Sequence, residues 1–233
     1  MNSNDDVLTL AEIASFLKVS KKTIFRMNKD GRLKGFKVGS QWRFVRPVVD
    51  DWIADGINTI PQKNLVNIIK TAEQIIPLSD LIPEKLIILN LQTGSKKNIL
   101  SQLVAPLYKE NLIDDPKHYL NHLLFREKMM STAIGHGVAI PHMRDPVENK
   151  IKKPSIVLGV CKEGVDFESL DEEKTYVFAL VSTNDELVHI RLLAKVSLLF
   201  KQDGIINKLC SAKSKSDVME LLRNVDINIS IRL

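Results

Sequence analysis

From Thr9 onward, apolar residues recur with the period of a helix. Leu10, Ile13, Ala14 and Leu17 fall three or four positions apart, and Glu12, three after Thr9, completes a capping box. A first helix is predicted there. After the short "KVS", Ser20 can cap a second helix, "KKTIFRMNKD", which Gly31 is placed to end in a left-handed conformation. Two short helices joined by a three- or four-residue turn make a helix-turn-helix. The period then drops to two: "LKGFKVGSQWRFV" alternates around Gly39-Ser40, a pair suited to a tight turn, and predicts a two-stranded wing. Pro47 opens a third helix, "PVVDDWIAD", whose Val48, Val49, Trp52 and Ile53 can pack on the first two.

Beyond this miniature winged helix, "ADGINTIPQKN" mixes Gly, Asn, Thr and Pro and marks a boundary. The predicted division is residues 1–57 for the winged helix, 58–77 for a linker and amphipathic helix, and 78–233 for a second domain. In the middle segment Leu65, Ile68, Ile69, Ala72, Ile75 and Ile76 form one apolar stripe. That stripe suits either a helix docked on the second domain or a homodimer interface. The remainder alternates helical patterns ("SKKNILSQLVAPLYKENL", "PKHYLNHLLFREKMMST", "ELVHIRLLAKVSLLFKQ", "KSDVMELLRNV") with apolar strands ("EKLIILNLQ", "SIVLGVCK", "TYVFALVS"). Over about 150 residues this argues an α/β protein, an α+β sandwich with a mixed sheet flanked by helices.

Composition adds two constraints. The 233 residues are 44% apolar, enough for packed cores, yet no run is long enough to cross a bilayer. The amino terminus "MNSNDDVLTL" is polar and acidic where a secretory signal is basic and then apolar. A cytoplasmic protein without membrane insertion is expected. Cys161 and Cys210 stand far apart with no second ligand nearby, which suggests neither a disulfide nor a zinc site. The formal net charge of +5 is unevenly spread: residues 18–46 hold ten Lys and Arg against one acid, Asp30. These cations interleave with Ile24, Phe25, Leu33, Phe36, Trp42 and Phe44, the mark of a folded basic surface aimed at a polyanion.

The stretch "LTLAEIASFLKVSKKTIFRMNKDGRLKGFKVGSQWRF" resembles the excisionase and MerR-type helix-turn-helix along nearly its whole length. The resemblance implies that the second helix enters the major groove of double-stranded DNA while the wing grips the flanking backbone. Carried over by position, Lys21, Lys22, Thr23 and Arg26 face DNA from the helix, and Lys37, Ser40, Gln41 and Arg43 from the wing. The residue types suit those roles, because Arg can fork onto guanine edges while Lys, Ser and Gln hold phosphates. A solvated basic face that binds a protein is the alternative reading.

The stretch "STAIGHGVAIPHMRD" carries the candidate chemistry. A histidine among glycines and proline suggests an open loop, where the amides of Gly135 and Gly137 could meet an anion. On residue type alone, such a histidine is more often structural than catalytic. The longer segment "FREKMMSTAIGHGVAIPH" is similar to the signature of enzyme IIA of the fructose-mannitol and nitrogen-regulatory type, from the phosphoenolpyruvate-dependent phosphotransferase system. The likeness runs from about Leu78 to Val225. It implies that His142 is the phosphorylated residue, that His189, in "TNDELVHIRLLAKVSLLF", is the second active-site histidine, and that Arg126 lies beside the phosphoryl group. The expected donor is the histidine phosphocarrier protein.

That chemistry suits a neutral imidazole as nucleophile, with a second imidazole and a guanidinium offsetting the moving charge. No cofactor and no metal are expected. His136 reads as a surface residue, and His118 and His122, four apart on a helix, lack a third ligand. Two positions depart from the family pattern: Ala133 and Met143 stand where glycine is usual, each adding a side chain near the site. The implied function is a phosphoryl-accepting regulator of transcription rather than a stand-alone enzyme. The alternatives are a IIA subunit relaying phosphate to separate transporter chains and an interaction protein without transfer. With neither a IIB nor a IIC domain in the chain, sugar uptake by this chain alone is not expected.

Overall fold

The computed structural model describes residues 7–17, 19–31, 33–54, 65, 66, 69, 76–143, 150–169 and 171–232. The N-terminal unit runs β1 (Val7–Thr9), α1 (Leu10–Phe16), α2 (Lys21–Lys29), β2 (Phe36–Val38), β3 (Gln41–Val45) and α3 (Arg46–Ala54). Thr9 and Glu12 form the expected reciprocal cap: the Thr9 amide donates to Glu12 Oε2 at 2.7 Å, and the Glu12 amide to Thr9 Oγ1 at 3.2 Å. Ser20 caps α2 by accepting from the Thr23 amide, and Gly31 is left-handed at φ 71°. The wing turns at Gly39, φ 61°, a conformation costly for a residue with a Cβ. One strand exceeds the expectation: β1 pairs antiparallel with β3, placing Leu8 opposite Phe44 and giving the order β1-β3-β2. Helix α3 begins at Arg46, with Pro47 inside its first turn. Ile13, Ile24, Met27, Leu33, Phe44, Val49 and Ile53 close the core, while Trp42, Trp52 and Val48 are only half-buried.

The second unit contains α4 (Leu78–Leu81), a 3₁₀ turn (Glu84–Leu86), β4 (Ile87–Ile88), α5 (Lys96–Lys109), α6 (Pro116–Met129), β5 (Ala133–Gly135) and β6 (Val138–Ala139). It continues with β7 (Ser155–Val165), β8 (Thr175–Ser182), α7 (Glu186–Phe200), α8 (Ile205–Ser211) and α9 (Lys215–Arg232). The sheet order is β4-β7-β8-β6-β5. Its pairings β4·β7 and β6·β8 are parallel, and β7·β8 and β5·β6 antiparallel, so the sheet is mixed as expected. The strand expected over "EKLIILNLQ" shrinks to Ile87–Ile88, because Pro83 first starts the 3₁₀ turn. Helix α8, entered through left-handed Gly204, was not anticipated.

The period of two along β7 and β8 divides the interior. Ile156, Leu158, Val160, Val177, Ala179 and Val181 join a core with residues of α7, α8 and α9; Val157, Cys161, Phe178 and Leu180 join one with residues of α5 and α6. Full burial of each large apolar side chain contributes roughly 1.5–3 kcal/mol. Helix α5 approaches β7 closely at Gly159, where a Cβ would lie 2.8 Å from Leu103 Cδ2. Cys161 is buried and Cys210 half-buried, both as free thiols.

Helix α7 is buried on nearly all sides from His189 to Phe200, as its almost uniformly apolar sequence requires. One side meets the sheet, and α3 of the N-terminal unit packs along another. Arg46 Nη1 is 3.1 Å from Glu186 Oε2, Asp50 Oδ2 is 3.9 Å from His189 Nε2, and Ser197 Oγ donates to the Ile53 carbonyl at 2.9 Å. The positions i, i+4 and i+7 of α3 thus follow α7 in the same chain direction. The cores of the two units are continuous through this contact. Leu65, Val66 and Ile69 are helical and buried in that same core, which fits the docked reading of their helix; Ile68, Ala72 and Ile75 lie outside the described residues, and Ile76 is exposed.

Candidate functional site

Three of the sequence-derived residues meet in one place. After the β5–β6 hairpin the chain runs beside the end of β8, where the Val181 amide donates to the Pro141 carbonyl at 2.9 Å and His142 bridges to Val181. His142 Nδ1 lies 2.8 Å from the Ile140 carbonyl. A carbonyl only accepts, so Nδ1 carries the proton and Nε2 holds the lone pair. Facing Nε2 at 3.4 Å is Arg126 Nη2, while Arg126 Nη1 donates to the Met130 carbonyl at 2.9 Å. Arg126 comes from the last turn of α6 and His189 from the first turns of α7, whose N-cap is Asp185. The rings of His142 and His189 are 5.3 Å apart and tilted by 58°.

Glu127, next to Arg126, anchors the chain that follows. Its carboxylate accepts from the Thr132 amide, Thr132 Oγ1, Ser131 Oγ and Lys96 Nζ, tying α6 to the strand that leads to His142. Tyr119 and Ser182 hydroxyls meet at 2.6 Å deeper in the same region.

The glycines of the hairpin do not form an open anion cradle, which corrects the expectation of an exposed loop. Gly135 and Gly137 are buried at φ 89° and 77°, and the Gly137 carbonyl accepts from the Tyr176 and Val177 amides. Between them, the His136 amide donates to Asp171 Oδ2 at 2.7 Å. The His136 side chain is exposed at the hairpin tip, and His118 and His122 are exposed with rings 4.4 Å apart. Among the described residues no group of three or more His, Cys, Asp or Glu is placed to hold a metal. Ala133 and Met143 are both buried in the core shared with α5 and α6.

Two residues that sequence reasoning did not select belong to this cluster. Asp50 and Arg46, both from α3, are buried beside His189, with Arg46 Nε 3.3 Å from Asp50 Oδ1. Their i, i+4 spacing was the available signal, but such a pair ordinarily reads as a solvent-facing helix pair. Arg46 was counted in the basic block, yet it points into the protein and lies 4.0 Å over the Phe16 ring.

Burial dominates the electrostatics. It holds the His142 imidazolium well below its ordinary range, and the Arg126 cation and His189 add to the effect. His189 is pushed down to about 3 by burial and by the Arg46 and Arg126 guanidinium groups. Both imidazoles are therefore neutral near pH 7. Burial raises Asp50 to about 6, opposed in part by Arg46 and Arg126. The cluster can present a neutral nucleophilic nitrogen beside a fixed cation, with a second imidazole and a carboxylate alongside.

The basic surface lies apart from this cluster. Lys21, Lys22 and Arg26 on α2, and Lys37, Ser40 and Gln41 on the wing, are exposed. Thr23 is half-buried, its hydroxyl 2.8 Å from Ser20 Oγ, and Arg43 is half-buried, donating to Gln41 Oε1 and the Trp42 carbonyl. Phe25, Phe36 and Val38 are exposed among these residues. No helix among the described residues is long and apolar enough to cross a membrane.

Comparison with known proteins places both units. The family model described as "Phosphoenolpyruvate-dependent sugar phosphotransferase system, EIIA 2" matches residues 80–225, and a helix-turn-helix domain model matches residues 7–56. The chain is 28% identical over 151 residues to the PTS system fructose-specific EIIABC component of Bacillus subtilis, covering 64% of this chain and 23% of that protein. It is 30% identical over 148 residues to the nitrogen regulatory protein of Bradyrhizobium diazoefficiens, covering 63% of this chain and 94% of the relative. Among solved structures, the nitrogen regulatory protein IIA-Ntr of Neisseria meningitidis superposes with a TM-score of 0.56 at 26% identity, covering 62% of this chain and 98% of that one.

Proposed function

The chain belongs to the EIIA 2 family of the phosphoenolpyruvate-dependent sugar phosphotransferase system, and on that footing we propose that it accepts a phosphoryl group on His142 and couples its phosphorylation state to DNA binding. The donor is the phosphohistidine of the histidine phosphocarrier protein. His142 Nε2 attacks phosphorus with its lone pair, the donor's N–P bond breaks, and the electron pair leaves on the donor imidazole. Arg126 and His189 offset charge on the transferred group. The Nδ1–H of His142 stays on the Ile140 carbonyl throughout.

The observation that carries this reading is the pairing of His142 Nδ1 with Ile140 O at 2.8 Å while Nε2 faces Arg126. It fixes the tautomer that an attacking imidazole needs. For the DNA-binding half, the support is the helix-turn-helix match and the row of exposed Lys21, Lys22, Arg26 and Lys37. The test is incubation with phosphoenolpyruvate, enzyme I and the phosphocarrier protein, followed by mapping of acid-labile phosphate. Label on His142 supports the reading, and label on His136 alone overturns it.

A non-transferring interaction protein is the second reading, favoured by one observation: His142 is only 1% exposed.

A further inference from the structure

A phosphoryl acceptor must let phosphorus come within about 3–3.5 Å of the attacking nitrogen. The cluster leaves no such opening, since His142, Arg126 and His189 are all 2% exposed or less. Part of the cover does not belong to the five-stranded unit. Asp50 and Arg46 reach His189 and Glu186 from α3, and the Ile53 carbonyl at the far end of the same helix face is held by Ser197.

The chemistry of the cover matters as much as its place. Asp50 presents a carboxylate 3.9 Å from His189 Nε2, an atom with no hydrogen-bond partner among the described residues. The charge of Arg126 acts on the same carboxylate. A transferred phosphoryl group needs these two residues to receive its oxygens, on the reading given above.

We propose that α3 is a removable lid on the phosphoryl site, in which Asp50 takes the place of the anion beside His189, so that docking of the winged helix and phosphorylation of His142 exclude each other. The inference rests on the phosphoryl-acceptor reading for its purpose but not for its geometry. A phosphoryl group on His142 carries roughly −1.5 to −2 charges and repels Asp50 across a site with little water to screen it. The donor in turn gains access only when α3 has lifted. Lifting α3 moves the DNA-binding unit bodily, and its exposed face on α2 and the wing is open in the docked state. What phosphorylation changes is therefore the placement of that face relative to the second unit.

The test uses the full chain and two readouts. In the first, diethyl pyrocarbonate modifies neutral imidazoles and mass spectrometry resolves the sites. An open minority of about 0.1–10% makes His142 and His189 react roughly 10- to 1,000-fold more slowly than exposed His136. Asp50→Arg sets a cation against Arg46 and Arg126, and the milder Glu186→Arg, at a half-exposed position, keeps the test alive if the first does not fold. Either variant is expected to speed modification of His142 by about tenfold or more, with His136 unchanged. In the second readout, phosphate uptake from the phosphocarrier protein speeds up in Glu186→Arg by a comparable factor. His142 reacting as fast as His136 in the wild type, or unchanged protection in both folded variants, overturns the lid. Faster modification with no phosphate uptake in any chain keeps the lid and overturns the acceptor reading instead.

Discussion

Asp50 Oδ2 lies 3.9 Å from His189 Nε2, although one residue comes from the winged helix and the other from the helix that edges the candidate site. Both are buried, so neither can shed its electrostatic requirements into solvent. This pair supplies the first prediction.

Stability is expected to fall with acidification in a way that Asp50 moderates. His142 and His189 are held below 6.5, so their contribution is fully present above that pH and is lost as pH falls, because the unfolded chain binds protons that the native chain refuses. Asp50 has the opposite sign: raised to about 6, it contributes most at low pH and that contribution is lost as pH rises through 6. Below about pH 6 the two histidines, which refuse protons that the unfolded chain binds, therefore outvote the one carboxylate that takes a proton up, and a balance of one proton is a slope of up to about 1.4 kcal/mol per pH unit. Asp50→Asn removes the opposing proton and roughly doubles the slope. Urea unfolding at a series of pH values checks this, and equal slopes in the two chains contradict it.

His142→Gln is expected to take up no acid-labile phosphate while keeping its circular dichroism spectrum. His136→Ala should label as the wild type does, since its side chain is exposed at the hairpin tip and its role there is served by the backbone amide on Asp171. Labelled His142→Gln protein would falsify the acceptor assignment.

Arg126→Lys and His189→Gln are expected to slow phosphate uptake by about 10²-fold each, the common cost of losing one donor to developing charge. Lysine keeps the positive charge of Arg126 but cannot hold the Met130 carbonyl and face His142 at once as the guanidinium does. Rapid-quench measurement of single-turnover uptake distinguishes this from weakened docking of the carrier, which shifts only the concentration dependence.

On DNA, Lys22→Ala and Arg26→Ala should each weaken binding and flatten the salt dependence by about one unit of slope per lost phosphate contact. Arg46→Lys should leave that slope unchanged, because Arg46 faces Glu186 and Asp50 rather than solvent. Fluorescence anisotropy with a short duplex between 50 and 200 mM salt, concentrations of the range where such slopes are read, provides the comparison.

Gly137→Ala should destabilise the fold by about 1–3 kcal/mol, the usual cost of a side chain in a sparsely populated backbone region. Its φ is 77°, and the added Cβ would lie 3.0 Å from Tyr176 Cδ2. A denaturant midpoint equal to that of the wild type would show that the hairpin yields without strain.

Much of this molecule was legible in local patterns. The caps at Thr9 and Ser20 and the turn at Gly39 are decided by side chains and backbones within a few residues of one another. The three residues of the candidate site were legible from the resemblance of two short segments, not from periodicity. What escaped was tertiary. A three-residue strand such as β1 has too few positions to display a period, and its pairing with β3 depends on residues more than thirty positions away. The glycine-rich stretch read as an open loop because glycine and proline signal turns, whereas neighbouring strands had already covered it. Asp50 was the deepest miss: a carboxylate on a short helix whose apolar residues already pack on its own unit gives no local hint that another helix will bury it.

The hydrogen bond from His142 Nδ1 to the Ile140 carbonyl also has a chemical consequence of its own. An imidazole can be phosphorylated on either nitrogen, and the two products are distinct isomers with different reactivity. Here the choice is taken by a backbone oxygen, which no side-chain substitution removes. Any phosphohistidine formed at this position should be the τ isomer, carried on Nε2, and an isomer-resolving phosphorus or nitrogen NMR spectrum would read the regiochemistry directly.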